Sequence, residues 1–221
     1  MSSATVTRGP EAAKHVNFIA DRLGSALAIL PLGVWTMIHL GNNLTAFQGA
    51  AAWQAAVTEY PHPFAGAITL GIVLLPLLWH IVWGIGRIWQ TRPNYPRYGY
   101  FANLKYILQR AAALGLLAFL GAHLWLAFLK PRLLEGQVEP FADIAHEMHF
   151  HRPTLVVYIL GVLAIAYHLG NGVHTAMMGF GVVETKSALR RSAVVAWVLF
   201  VTMLVMGWGA IFALFQAGKL T

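Results

Sequence analysis

Five runs of apolar residues, each long enough to cross about 30 Å of hydrocarbon, divide this chain from end to end. Inside lipid, backbone N–H and C=O groups must be satisfied internally, so runs of this length can only be helices. The few charged residues, 10% of the 221 against about a quarter in an ordinary soluble domain, fall almost entirely between the runs. The chain reads as an all-α integral membrane protein with spans at 22–40, 64–89, 106–129, 155–180 and 193–215. Pro31 and Pro76 lie inside the first two and are expected to bend them.

Orientation follows from lysine and arginine. Eleven of the fifteen fall in the N-terminal segment and the second and fourth connections, and four fall on the opposite side. The positive-inside rule therefore places the N-terminus in the cytoplasm and the C-terminus outside. The net charge of +7 thus reports topology and not nucleic-acid binding. The polar N-terminal segment, with no small-residue cleavage site, reads as a retained tail.

Four spans each hold one deep histidine: His39, His80, His123 and His168, at intervals of 41, 43 and 45 residues. An ionisable residue inside a membrane helix is costly and marks a functional site by default. At 1.5 Å per residue, His39 lies roughly 25 Å along its span from the inner end, and His123 lies about as far along the parallel third span. The second and fourth spans run inward, and His80 and His168 come late in them. The depths pair His39 with His123 outside, and His80 with His168 inside. Two imidazole pairs at two depths suit two b haems, and filling both axial positions favours electron transfer over oxygen chemistry. The expected fold is a five-helix bundle enclosing two b haems. It divides into a cytoplasmic tail (1–21), a transmembrane cytochrome b domain (22–215) and a short outer tail (216–221).

With no cysteine, this chain offers no disulfide, zinc–thiolate, iron–sulfur or covalent c-type haem ligation. Gly84 and Gly172 lie four residues beyond the inner histidines, on the same helix face, where a missing side chain makes room for a porphyrin. Gly121 and Gly170, two residues from ligands, fit either the pocket or helix packing. Arg87 and Lys130, seven residues beyond His80 and His123, fit either propionate partners or snorkelling anchors. Trp35 and Phe119, one turn before the outer histidines, can wall a haem pocket. His174 is a reserve ligand. His146, His149 and His151 read as solvated loop residues with an outer metal site as the alternative, and His15 has no role legible in sequence.

The stretch DRLGSALAILPLGVWTMIHLGNN at 21–43 and HLGNGVHT around His168 resemble the cytochrome b subunit of succinate dehydrogenases and fumarate reductases, in its five-helix, two-haem, single-anchor form. The likeness extends over 22–215. It implies that His80 and His168 bind the haem proximal to an iron–sulfur subunit, and His39 and His123 the distal one. It implies flavoprotein and iron–sulfur partners, as in respiratory complex II of the tricarboxylic acid cycle, with succinate chemistry in the flavoprotein. It also implies a bacterial cytoplasmic membrane and delivery of electrons to a quinone, commonly menaquinone. By analogy the quinone slot lies near the distal haem, with Glu59, His62 and the stretch 141–151 as candidates. A slot near the proximal haem would use Arg22, Ser25 or His174. The best-known fumarate reductases of this form carry a glutamate, implicated in transmembrane proton movement, two residues before the fourth ligand. Ala166 stands there, which tilts the physiological direction toward succinate oxidation.

Two other readings compete. One is the cytochrome b anchor of a hydrogenase or formate dehydrogenase. The other is a transporter using histidines as proton relays, which calls for acidic partners within the spans; the spans contain essentially none.

Overall fold

A computed structural model describes residues 10–58, 64–90, 92, 93 and 95–220. Among these there is no strand, and five helical stretches are long and apolar enough to cross a membrane: Phe18–Gln48, Gly66–Gln90, Phe101–Leu134, Arg152–Gly179 and Lys186–Leu220. We label the helices in chain order: α1 (10–43), α2 (Ala50–Val57), α3 (65–90), α4 (101–134), α5 (Phe141–Phe150), α6 (Arg152–Gly179) and α7 (Lys186–Ala217). Most of the spanning helices overrun the apolar windows that mark them in sequence. Hydropathy registers only the hydrocarbon-facing turns, whereas backbone hydrogen bonding continues into the interface.

Three spans contain π-helical turns, and each lies at or just before a proline. Ala28–Gly33 contains Pro31, Thr69–Leu74 precedes Pro76, and Trp125–Leu129 precedes Pro131. Proline lacks an N–H and clashes with the carbonyl four residues back, so the ladder slips to a wider turn there without breaking.

The densest packing is between α6 and α7. Gly170 makes it possible: a Cβ there would come within 2.9 Å of the Ala196 carbonyl oxygen on α7. Two apolar clusters follow. Leu40, Ala166, Leu169 and Met203 join α1, α6 and α7 near mid-span. A larger one gathers Trp53 of α2 and Phe141, Ile144, Ala145 and Met148 of α5 against Tyr158, Val162, Ile211 and Leu214. The short helices α2 and α5, which lie within segments read from sequence as polar connections, therefore cap one end of the bundle. His149 fastens that cap, its Nδ1–H donating to the Phe215 carbonyl at 2.9 Å. The opposite, basic end holds Arg22, Arg87, Lys105, Arg110 and Arg190. Large apolar side chains such as Leu30, Ile38, Leu78, Val82, Leu160 and Val205 point outward, as lipid-facing residues do.

Candidate functional site: two histidine pairs in one cavity

A cavity of about 1570 Å³ runs between α1, α3, α4 and α6, and all four deep histidines line it. It exceeds the roughly 300–1,000 Å³ of a typical small-molecule site, so it has room for more than one bound group.

The histidines stand in two pairs. His39 on α1 faces His123 on α4 with ring centres 5.9 Å apart and planes at 71°. His80 on α3 faces His168 on α6 with ring centres 6.0 Å apart, again at 71°. Two imidazoles bonded to one ion at about 2 Å each, with roughly 1 Å more to each ring centre, stand about 6 Å apart. Among the described residues no three His, Asp or Glu side chains converge as they would on a simple metal ion. The donor set is therefore one of facing pairs, the arrangement that fits a flat macrocycle's two axial positions.

Three of the rings are oriented by a partner at Nδ1, which frees Nε2 to face the cavity. His80 Nδ1–H donates to the Gly24 carbonyl at 3.2 Å. That carbonyl is within reach because α1 and α3 touch closely at Gly24, where a Cβ would lie 2.5 Å from the Trp83 ring. Asp21 secures the same contact, accepting from Trp83 Nε1–H at 3.1 Å and pairing with Arg87 at 3.3 Å. His168 Nδ1 meets the Gln109 side-chain amide at 3.2 Å, and Asn171 Nδ2 donates to Gln109 Oε1 at 2.8 Å. His123 Nδ1 lies 3.1 Å from the Tyr158 hydroxyl. Such outer partners fix ring orientation and ligand basicity. His39 differs. It stacks on Trp35 with ring centres 4.8 Å apart, and Asn43 Nδ2 lies 3.4 Å from its Nε2. The partners at Nδ1 are not legible from spacing, because Gly24, Gln109 and Tyr158 each come from another helix, whereas Trp35 and Asn43 lie one turn from His39 on its own helix.

Of the remaining sequence candidates, Gly84 and Gly172 both line the cavity, and a Cβ on Gly84 would meet open space. Gly170 serves helix packing, and Gly121 is exposed off the cavity wall. Arg87 is on the wall at the basic end, joined there by Lys105, Arg110 and Arg190. In the same region the Tyr106 hydroxyl is buried without a hydrogen-bond partner among the described residues, which suits a polar group entering the cavity. Lys130 pairs with Glu135 at 3.4 Å off the wall, where Arg132 lines the cavity instead. His174 also lines the cavity but is buried against Ser192, Nδ1 to Oγ 2.8 Å, and faces no second histidine among the described residues. Glu59 and His62 lie outside the described residues. At the capped end the cavity is lined by Glu139, which lies in the connection between α4 and α5 and is only 4% exposed.

Residues 90–206 match a family model described as the succinate dehydrogenase/fumarate reductase transmembrane subunit. The succinate dehydrogenase cytochrome b558 subunit of Bacillus subtilis (strain 168) is 30% identical over 199 residues, covering 89% of this chain and 96% of that protein. The chain belongs to this family. Membership agrees with the five spans and does not favour a hydrogenase or formate dehydrogenase anchor. It also gives Ala166 its context. The residue is fully buried in the cluster with Leu40, Leu169 and Met203, so its environment in this family member is apolar and closed.

Phe119 links packing to the His39–His123 pair. Its ring stacks on His123, centres 5.4 Å apart at 19°, and a Cβ on Gly161 of α6 would come within 2.2 Å of it. Gly161→Ala is therefore expected to cost about 1–3 kcal/mol of stability through overpacking. Thermal unfolding should show a lower midpoint, and the Gly161→Ala/Phe119→Ala double variant should lose much of the added penalty. Additive losses would mean that the two side chains do not meet.

Proposed function

We propose that this chain is the di-haem cytochrome b anchor of a succinate:quinone oxidoreductase, passing electrons from an iron–sulfur subunit to menaquinone or another quinone. One observation carries the reading: two facing histidine pairs, each about 6 Å between ring centres, in a single membrane-embedded cavity. His80 and His168 would hold one b haem near the cytoplasmic side, and His39 and His123 the other near the outer side. Held by these histidines, b haem would supply reversible one-electron transfer.

The chain's own residues do the rest. The Gly24 carbonyl and the Tyr158 hydroxyl can accept from the Nδ1–H of His80 and His123, which leaves the Nε2 lone pair of those rings for the cavity, while the Gln109 amide positions the His168 ring. Arg87, Lys105, Arg110 and Arg190 at the basic end supply cations where carboxylate edges would emerge. Apolar wall residues keep water from the span between the pairs. Tyr158, which touches His123, precedes His168 by ten residues on α6, so the two pairs lie about 15 Å apart along that helix. The basic end is assigned to the cytoplasm by its excess of lysine and arginine, and flavoprotein and iron–sulfur subunits would dock there. The relative's description as a succinate dehydrogenase subunit supports those partners, and Ala166 supports succinate oxidation as the direction.

The test is a reduced-minus-oxidised spectrum of the purified complex with pyridine-haemochrome quantitation. Two b haems per chain, both reduced by succinate, are expected. A well-folded preparation without haem would sink the reading and promote the proton-relay alternative.

A further inference from the structure

Glu139 lies between α4 and α5, and it is the acidic side chain that the described residues bury. The α2 helix holds its backbone in place. Gln54 Nε2 donates to the Glu139 carbonyl at 3.0 Å, and Gln54 Oε1 accepts from the Phe141 N–H at 3.0 Å. Its carboxyl, by contrast, has no hydrogen-bond or ion-pair partner among the described residues, although it lines the cavity. A buried carboxyl with no donor is expensive as an anion, so its setting favours the protonated acid.

The groups around it reinforce this. Asp143 and Glu147 face it from α5, and Glu135 and Lys130 from the end of α4, where Lys130 is already engaged with Glu135. Tyr158 comes from α6, Arg132 of α4 lines the same cavity, and α2 with the residue that follows it contributes only the uncharged Gln54 and Thr58. Burial first, then the three carboxylates, push the Glu139 pKa up to about 7, with Lys130 opposing. That is where a group can both give and regain a proton at neutral pH.

We propose that Glu139 is the proton-exchanging residue of quinone reduction at the capped end of the cavity, an assignment that rests on the electron-transfer reading above. Reducing a quinone takes two electrons, supplied by succinate through the partner subunits, and two protons, one for each carbonyl oxygen. As negative charge grows on one of those oxygens, the Glu139 O–H bond breaks and the proton forms the new quinol O–H bond. The carboxylate left behind is reprotonated from the outer water, which also supplies the second proton. The outer acidic residues Asp143, Glu147 and Glu135 keep the local proton concentration high.

The experiment uses the whole complex, with succinate as donor and a short-chain naphthoquinone as acceptor. Glu139→Gln should keep its haem content and the reduction of its haems by succinate. Its kcat for quinone reduction should fall about 100-fold or more, the usual range for losing a general acid, with KM little changed. Wild-type rate should decline as pH rises through about 7, because the donor is then ionised; the Glu139→Gln profile should lose that limb, and Glu139→Asp should regain part of the rate. A Glu139→Gln complex with normal haem that reduces the quinone within about twofold of wild type overturns the proposal. If that variant fails to assemble, the wild-type profile decides: a rate flat from about pH 6 to about 8 overturns it equally. Failure of succinate to reduce the wild-type haems would strike the underlying function and not this residue.

Discussion

Alanine at His168 should remove one b-haem component completely and stop succinate-dependent quinone reduction, while leaving the other component in place. An alanine side chain offers no lone pair, and the six-ångström gap to His80 would then hold a single imidazole. The surroundings offer no substitute. His174 lies six residues further along the same helix, so it projects from a different face, where it is buried against Ser192. The loss should interrupt electron flow and not merely slow it, because the inner pair lies between the proposed iron–sulfur docking face and the outer pair. The change also strands the Gln109–Asn171 amides that orient the ring, so less assembled complex is expected as well. Retention of both components in His168→Ala would contradict the ligand assignment.

Glutamate at Ala166 should prevent assembly. Ala166 is fully buried among Leu40, Leu169 and Met203. Enlarging a packed site costs about 1–3 kcal/mol. Placing an ionisable group at mid-membrane costs about 3 kcal/mol more on insertion scales. Together these rival the whole stability of a small domain. The measurement is haem-containing complex per milligram of membrane protein. Wild-type levels in Ala166→Glu would show that the cluster opens to a polar side chain, and would weaken the argument from Ala166 for succinate oxidation.

The histidines were legible in the sequence because a polar ring in an apolar run has no bland background to hide in, and helix rise converts position into depth. Span existence was legible for the same reason. What escaped was whatever depends on two segments meeting. Tyr158, Gln109 and the Gly24 carbonyl reach their histidines from other helices, at separations of 35, 59 and 56 residues. Glu139 resembled its acidic neighbours Glu135 and Asp143 in composition and location. Only the folding of α2 and α5 over the bundle end buries it, and those helices are too short for a hydropathy signal to mark. Lys130 and Arg132 show a related limit: which of two nearby cations lines a cavity depends on local helix phase, which the π turn at Trp125–Leu129 shifts.

The most direct test of the two-pair arrangement is a set of low-temperature reduced-minus-oxidised spectra on the four single variants His39→Ala, His80→Ala, His123→Ala and His168→Ala. The facing geometry predicts that His39→Ala and His123→Ala lose the same haem component, and that His80→Ala and His168→Ala both lose the other. If His123→Ala and His168→Ala abolished one and the same component, the pairing would be wrong.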